Sequence, residues 1–108
     1  MIKKETVPEL TNGEFDEFIK KGVVLIDFFA EWCMPCLMIS PLIEDIAEKM
    51  KGKIKVGKVN VEDGQEIAKK FRVSSIPNLI ILKNGKVVEN LGGGISADDL
   101  EDKLRKYI

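Results

Sequence analysis

Cys33-Met34-Pro35-Cys36 holds the only two cysteines of this 108-residue chain, and two intervening residues leave the sulfurs within reach of each other for a disulfide. The pair follows an almost continuous apolar run, Val23 to Phe29, and precedes a segment with helical periodicity. That order predicts a buried strand, a tight turn and the start of a helix. A thiol at a helix N-terminus meets backbone N–H groups and the positive end of the macrodipole, and both favour its anionic form. Cys33 is therefore the candidate nucleophile and Cys36, one turn further on, its partner. Zinc would need more ligands, and the chain has no histidine and no third cysteine, so a metal would have to be shared between two chains or completed by carboxylates. A purely structural disulfide closing so small a loop would constrain the unfolded chain very little. Thiol–disulfide exchange is the chemistry that fits this pair best.

Other side chains bear on that chemistry. Asp27 lies inside Val-Leu-Ile-Asp-Phe-Phe, where folding strips its hydration and raises its pKa into a range useful for proton transfer. The competing reading is a strand-edge aspartate facing water. Lys49, Lys51, Lys53 and Lys55 read as a solvated lysine run, whereas Lys58 sits deeper in its strand and can pair with Asp27. Trp32 abuts Cys33 and either packs inward or forms an apolar rim for docking partners, which Met34 would extend.

These residues need elements to hold them. Ile2 to Val7 reads as a short edge strand ended by Pro8, and Thr11-Asn12-Gly13-Glu14 has capping-box spacing for a helix that buries Phe15, Phe18 and Ile19. Gly22 is expected to close that helix before the Val23–Phe29 strand, whose apolar run suits a strand covered on both faces. A helix from about Pro35 to Met50 carries Ile39, Leu42, Ile43, Ile46, Ala47 and Met50 as its apolar stripe, with Pro41 inside it and Gly52 after it. Ile54 to Val61 is a second strand. Asp63 to Glu66 opens a short helix with Ile67, Ala68 and Phe71 inward. Leu79 to Leu82 and Val87 to Leu91 form a hairpin across Asn84-Gly85, broken by Gly92-Gly93-Gly94. Ser96 caps a last helix with Leu100, Leu104 and Ile108 on one side. Strands alternating with helices predict an α/β sheet with a parallel centre and an antiparallel edge.

Composition bounds the function. The formal net charge is -1, which disfavours a nucleic-acid binder driven by bulk electrostatics, and no apolar run approaches a membrane span. Met1-Ile2-Lys3-Lys4-Glu5 leads into no secretory apolar region, so a cytoplasmic location is expected, where paired cysteines serve catalysis or metal binding more often than structure. Abundant Lys and Glu with a single glutamine, Gln65, resemble the bias of proteins from hot environments.

Trp32-Cys33-Met34-Pro35-Cys36 resembles the active-site signature of the thioredoxin family, which usually has glycine at the position of Met34. The resemblance spans the chain. Asp27 sits six residues before Cys33, where the family keeps a buried acid; Pro41 matches a helix-kinking proline and Lys58 a lysine near that acid. Ile76-Pro77 matches a loop whose cis-proline faces the disulfide, and Gly93 a glycine that lets a partner's backbone approach. The resemblance implies a thioredoxin fold over residues 1–108 as a single domain: a mixed sheet with a parallel centre, an antiparallel edge hairpin and helices on both faces.

It also implies a protein-disulfide reductase in which Cys33 attacks and Cys36 resolves. Asp27 would serve as buried acid or base, tuned by Lys58, while Trp32, Met34, Pro35, Ile76, Pro77 and Gly93 meet the substrate. The expected partners are disulfide-containing proteins and a thioredoxin-reductase-type electron donor, with no cofactor beyond the disulfide, no metal, no nucleic acid, no membrane and a monomeric state. Three departures bear on this: Met34 for glycine, Leu37 for the usual lysine, and Phe29 and Asn78 for tryptophan and threonine. Each ~30 mV of redox potential corresponds to about 1.4 kcal/mol, so one altered interaction can move such a protein from reductant towards isomerase. An isomerase or glutaredoxin-like oxidoreductase, a binding or chaperone module without turnover, and a metal carrier shared by two chains stand as alternatives.

Overall fold

The computed structural model describes residues 7–108. Over them the chain forms α1 (Asn12–Ile19), β1 (Val23–Phe29), α2 (Met34–Lys49), β2 (Lys55–Asn60), α3 (Gln65–Lys70), β3 (Asn78–Lys83), β4 (Lys86–Gly92) and α4 (Ala97–Arg105). The expected strand from Ile2 to Val7 lies outside the described residues except for Val7. Just after it, Lys58 donates its N–H to the Pro8 carbonyl at 2.9 Å, and Leu10 donates to the Lys58 carbonyl at 2.8 Å. Glu9 thus forms a parallel bridge with Lys58 beside β2.

The sheet order is β2-β1-β3-β4. β1 pairs parallel with β2 and antiparallel with β3, and β3 pairs antiparallel with β4. The alternation of strands and helices predicts a larger parallel centre than this. β3 enters beside β1 in the opposite sense, so among the named strands the parallel part is the β1–β2 pair alone.

Period-two alternation divides the core. Val23, Leu25, Leu79 and Ile81 pack with Ile43, Ile46, Leu100 and Leu104 from α2 and α4. On the other face Val24, Ile26, Phe28, Ile80 and Leu82 pack with Phe15 and Ile19 from α1 and Ile67 from α3. A strand buried on both faces must be apolar at every position, which is why Val23–Phe28 is buried throughout and the one carboxylate within it is exceptional.

The local signals hold with small shifts. Glu14 accepts the Thr11 N–H at 3.1 Å, closing the α1 capping box, and the Ser96 hydroxyl accepts from Asp99 N–H at 3.1 Å at the start of α4. α1 ends at Ile19 with Lys20 still right-handed, so Gly22 (φ 78°) makes the turn into β1 instead of capping the helix. Ile108 lies beyond α4 and is exposed, because the helix ends at Arg105 before its stripe reaches that residue.

Candidate active site

α2 begins where β1 has delivered the chain to the edge of the core. Cys33 is its N-cap, held by its own N–H to the Ala30 carbonyl at 3.2 Å, and Pro35 occupies the first turn, where a missing N–H costs nothing. The two cysteines are joined in a disulfide with Cα atoms 5.3 Å apart, and Cys33 Sγ accepts the Cys36 N–H at 3.2 Å. A donor already aimed at this sulfur, at the positive end of a 16-residue helix, lowers the energy of a thiolate there. Cys36 is inside the helix and buried with Ala30.

Asp27 is 5% exposed, and its Oδ1 has no hydrogen-bond partner among the described residues. Burial raises its pKa and the Lys58 charge lowers it; burial wins, moving Asp27 from the ordinary value of 3.8 to about 6. Lys58 stands directly opposite Asp27 in the β1–β2 register, half-buried, with Nζ 5.6 Å from the centre of the Phe29 ring. A cavity of about 10 Å³, close to the room one water needs, lies between Asp27, Lys58, Val7, Ser40, Ile43 and Glu44. Ser40 is four residues beyond Cys36 on α2, so that cavity reaches the helix face that carries the second sulfur. No hydrogen bond joins Asp27 directly to Cys36 among the described residues.

Around the disulfide the surface is apolar. Trp32 is 69% exposed and Met34 66% exposed, and Trp32 donates its indole N–H to Glu62 Oε2 at 2.9 Å. Leu37 and Met38 are exposed as well and continue Met34 along α2 at helical spacing. Leu37 was expected here only as the departure from a usual lysine, and neither Met38 nor Glu62 was expected at the site. The signal for the first two is a second apolar stripe on α2, opposite the Ile43–Ile46 stripe that fills the core. Glu62 has no local signal, since its contact spans 30 residues.

The Ile76–Pro77 peptide is cis, as the loop motif leads one to expect, and Ile76 packs against the buried cysteines. Gly93 lies against that loop: a Cβ there would stand 2.7 Å from the Pro77 carbonyl oxygen and 2.9 Å from its Cγ. Asp27, Lys58, Trp32, Met34, Pro35, Ile76, Pro77 and Gly93 thus all lie at the end of the sheet that carries the disulfide or on the cavity beneath it.

The thioredoxin family model matches residues 6–106. The chain belongs to the thioredoxin family. It is similar to the thioredoxin of Bacillus subtilis (strain 168), 39% identical over 102 residues that cover 94% of this chain and 98% of that protein. It is also 41% identical to the thioredoxin of Porphyra purpurea over 105 residues, 95% of this chain and 98% of that one. Among solved structures, a mutant thioredoxin from Halobacterium salinarum NRC-1 superposes with a TM-score of 0.85 at 31% identity, covering 99% of this chain and 96% of the other.

Family membership and the bonded cysteine pair make the protein a thiol–disulfide oxidoreductase of the protein-disulfide reductase type. Thioredoxins generally work through this disulfide without a further cofactor, on disulfide-containing proteins and with a reductase as electron source. Among the described residues no helix is long and apolar enough to cross a membrane, and no group of three or more metal-ligating side chains occurs.

Proposed function

We propose that the protein is a cytoplasmic, monomeric reductant of protein disulfides, with Cys33 as nucleophile, Cys36 as resolving thiol and Asp27 as the base that serves Cys36. The observation that carries the assignment is the N-cap position of Cys33, whose sulfur already receives a backbone N–H at 3.2 Å. In the reduced form the Cys33 thiolate attacks one sulfur of a target disulfide. The target's other sulfur leaves as a thiolate and takes a proton, and a mixed disulfide remains. Asp27 then accepts the Cys36 thiol proton through a water in the cavity lined by Ser40. The Cys36 thiolate attacks Cys33 Sγ and expels the second target thiolate, which is protonated in turn. Two electrons have passed to the target together with the Cys36 proton and one proton from solvent, and the Cys33–Cys36 disulfide has formed. A thioredoxin-reductase-type donor returns the pair to dithiol.

Lys58 keeps the Asp27 pKa from rising further, so the carboxylate is mostly ionised at neutral pH yet basic enough to act. Trp32, Met34 and Pro35 form the rim on which a target docks, and the Ile76–Pro77 backbone offers an edge to an extended target segment, with Gly93 allowing close approach. Insulin reduction by wild type, Cys33→Ser and Cys36→Ser tests this reading. Cys33→Ser is expected to be inert, and Cys36→Ser to accumulate a mixed disulfide visible by mass. Thiol-independent activity in Cys33→Ser, or no trapped complex in Cys36→Ser, would overturn the assignment of roles. A redox midpoint near that of protein disulfide isomerase, measured against glutathione, would overturn the reductase direction alone.

A further inference from the structure

The end of the sheet away from the disulfide has a composition the redox chemistry does not use. Lys21 precedes β1, Lys55 begins β2, Lys83 ends β3 and Lys86 begins β4, while Lys51 and Lys53 lie in the turn between α2 and β2. The register puts Lys55 opposite Val24, and Lys83 opposite both Val23 and Lys86, so the lysines gather at one end of four adjacent strands, Lys55 on the α1 face of the sheet and Lys83 with Lys86 on the other. At about 4.8 Å between strands that row spans roughly 14 Å, and it lies about 20 Å along β1 from the end that leads to Cys33. All six lysines are exposed.

Two features separate this cluster from an ordinary solvated face. The chain has 18 acidic against 17 basic residues, yet among the described residues no ion pair engages any of the six. Ion pairs form instead at Lys49, Lys70, Lys103, Arg105 and Lys106. Among the described residues Glu17, Glu48 and Glu89, the acids nearest along the chain, form no ion pair with the six, and Glu89 is engaged by Lys103 and Lys106 instead. Three of the six, Lys21, Lys53 and Lys55, also line a depression of about 230 Å³ together with Gly22, Val23, Gly52 and Ile54. Both glycines have positive φ, 78° and 89°, and nothing stands within 4 Å of where a Cβ would be, so the backbone is open to a ligand.

The turns that carry these lysines are tied together. Gly22 donates its N–H to Asn84 Oδ1 at 2.9 Å and accepts from Asn84 N–H at 3.0 Å, while Lys53 N–H and Ile54 N–H both reach the Met50 carbonyl. The Lys55 ammonium is anchored on the Phe18 carbonyl, which holds one charge at the wall of the depression. A rigid concave site with unneutralised cations binds a compact anion at less ordering cost than mobile surface lysines do.

We infer that this pole is a binding site for a soluble oligophosphate. Lysines alone suit phosphate oxygens as point charges, and neither arginine of the chain, Arg72 or Arg105, belongs to the cluster. Among the described residues no fully exposed aromatic ring stands there for a base to stack on: Phe18, 5.0 Å from the Lys55 ammonium, is half-buried and Trp32 is at the opposite end, and this disfavours nucleic acid. The ligand site and the disulfide are far enough apart for both to be occupied together.

The test is titration of the oxidised protein with sodium tripolyphosphate at ~0.15 M salt, followed by amide NMR and calorimetry. Saturable shifts at Gly22, Gly52 and Lys53, with those near Cys33 unmoved, are expected. The double substitution Lys21→Gln/Lys53→Gln should weaken binding at least about tenfold and flatten its dependence on salt, by removing phosphate contacts and the counterion release that accompanies them. Insulin reduction should be unchanged in that variant. Lys83→Gln/Lys86→Gln serves as a second variant and should weaken binding to a smaller degree. The inference is overturned if no saturable shifts appear, if they spread over the surface, or if poly-glutamate of matched charge displaces tripolyphosphate equally well. Tighter binding to duplex DNA or to anionic phospholipid vesicles would also overturn it, in favour of a macromolecular partner.

Discussion

The two ends of this sheet are built from the same strands and differ in almost every physical respect. At the end carrying the disulfide, the large exposed apolar side chains are Trp32, Met34, Leu37 and Met38, with the exposed Glu62 on the Trp32 indole and one carboxylate, Asp27, sealed beneath the surface. At the other end the exposed charges are lysines, and among the described residues nothing titratable there is buried. The comparison teaches where each kind of energy is put to use. Exposed apolar surface is kept where a partner covers it transiently, and a desolvated acid is kept where a proton must move. Unpaired cations are kept where no proton moves, at a modest cost in self-repulsion.

The largest effect on the comparison comes from deleting the nucleophile. Cys33→Ser should reduce insulin turnover to the uncatalysed background, a loss of roughly a thousandfold or more, since the residual comes from binding alone. Substitutions at the lysine pole should leave the same rate within about twofold. A comparable loss from both ends would dissolve the distinction between them.

Next is Asp27→Asn, which acts on stability and on rate in opposite directions. The folded protein holds the Asp27 proton more tightly than the unfolded chain does, because its pKa moves from 3.8 up to about 6. Stability therefore falls as pH rises from about 4 to about 6 and is level above that. Asp27→Asn removes the charge-burial cost. It should raise unfolding stability by about 3 kcal/mol at neutral pH and by nothing below pH ~4. Urea denaturation at both pH values, with dithiothreitol absent, measures it. In the wild type, release of the mixed disulfide should slow as pH drops below about 6, where Asp27 is protonated, and in the variant that inflection should vanish. An unchanged pH profile would place the base elsewhere.

How far the sequence reveals these ends depends on the range of the interactions. The disulfide, the strand before it and the helix after it are legible because the signals are local: an apolar run, two cysteines and a proline at the helix start. Asp27 is legible because a carboxylate in a run buried on both faces has no solvent to reach. The antiparallel entry of β3 beside β1 is not, since apolar residues at every position fit parallel and antiparallel partners alike. Nor is the Trp32–Glu62 bond, which joins residues 30 apart. Arg72 is a third case. It takes the left-handed conformation (φ 56°) after α3, a position where a sequence offers glycine as the usual sign of a turn. The lysine pole is half legible: the run from Lys49 to Lys55 is visible, but its placement at the same end of the sheet as Lys21, Lys83 and Lys86 needs the register.

Gly93→Ala tests how tightly the apolar end is assembled. The added methyl would meet backbone, the Pro77 carbonyl at 2.7 Å, so the loop must shift and no side-chain rotation relieves it. A cost of about 1–3 kcal/mol in stability is expected, with a rise of roughly tenfold in KM for a protein disulfide. Reduction of a small disulfide such as dithiobis(nitrobenzoate), which does not use the loop, should change little. Equal losses on both substrates would mean that the methyl disturbs the disulfide itself.

The smallest effect sharpens the other half of the comparison. Like charges without carboxylate partners repel, so Lys51→Gln or Lys83→Gln should raise the urea midpoint slightly in ~10 mM salt, and the gain should vanish in ~1 M salt, where the Debye length is about 3 Å. Lys103→Gln supplies the control, because Lys103 lies 3.8 Å from Glu89 and its loss removes an attraction. Its midpoint should move the opposite way at low salt and converge likewise at high salt. If the pole lysines behaved like Lys103, carboxylates would be neutralising them in solution, and the charge separation between the two ends of the sheet would be smaller than the side-chain positions imply.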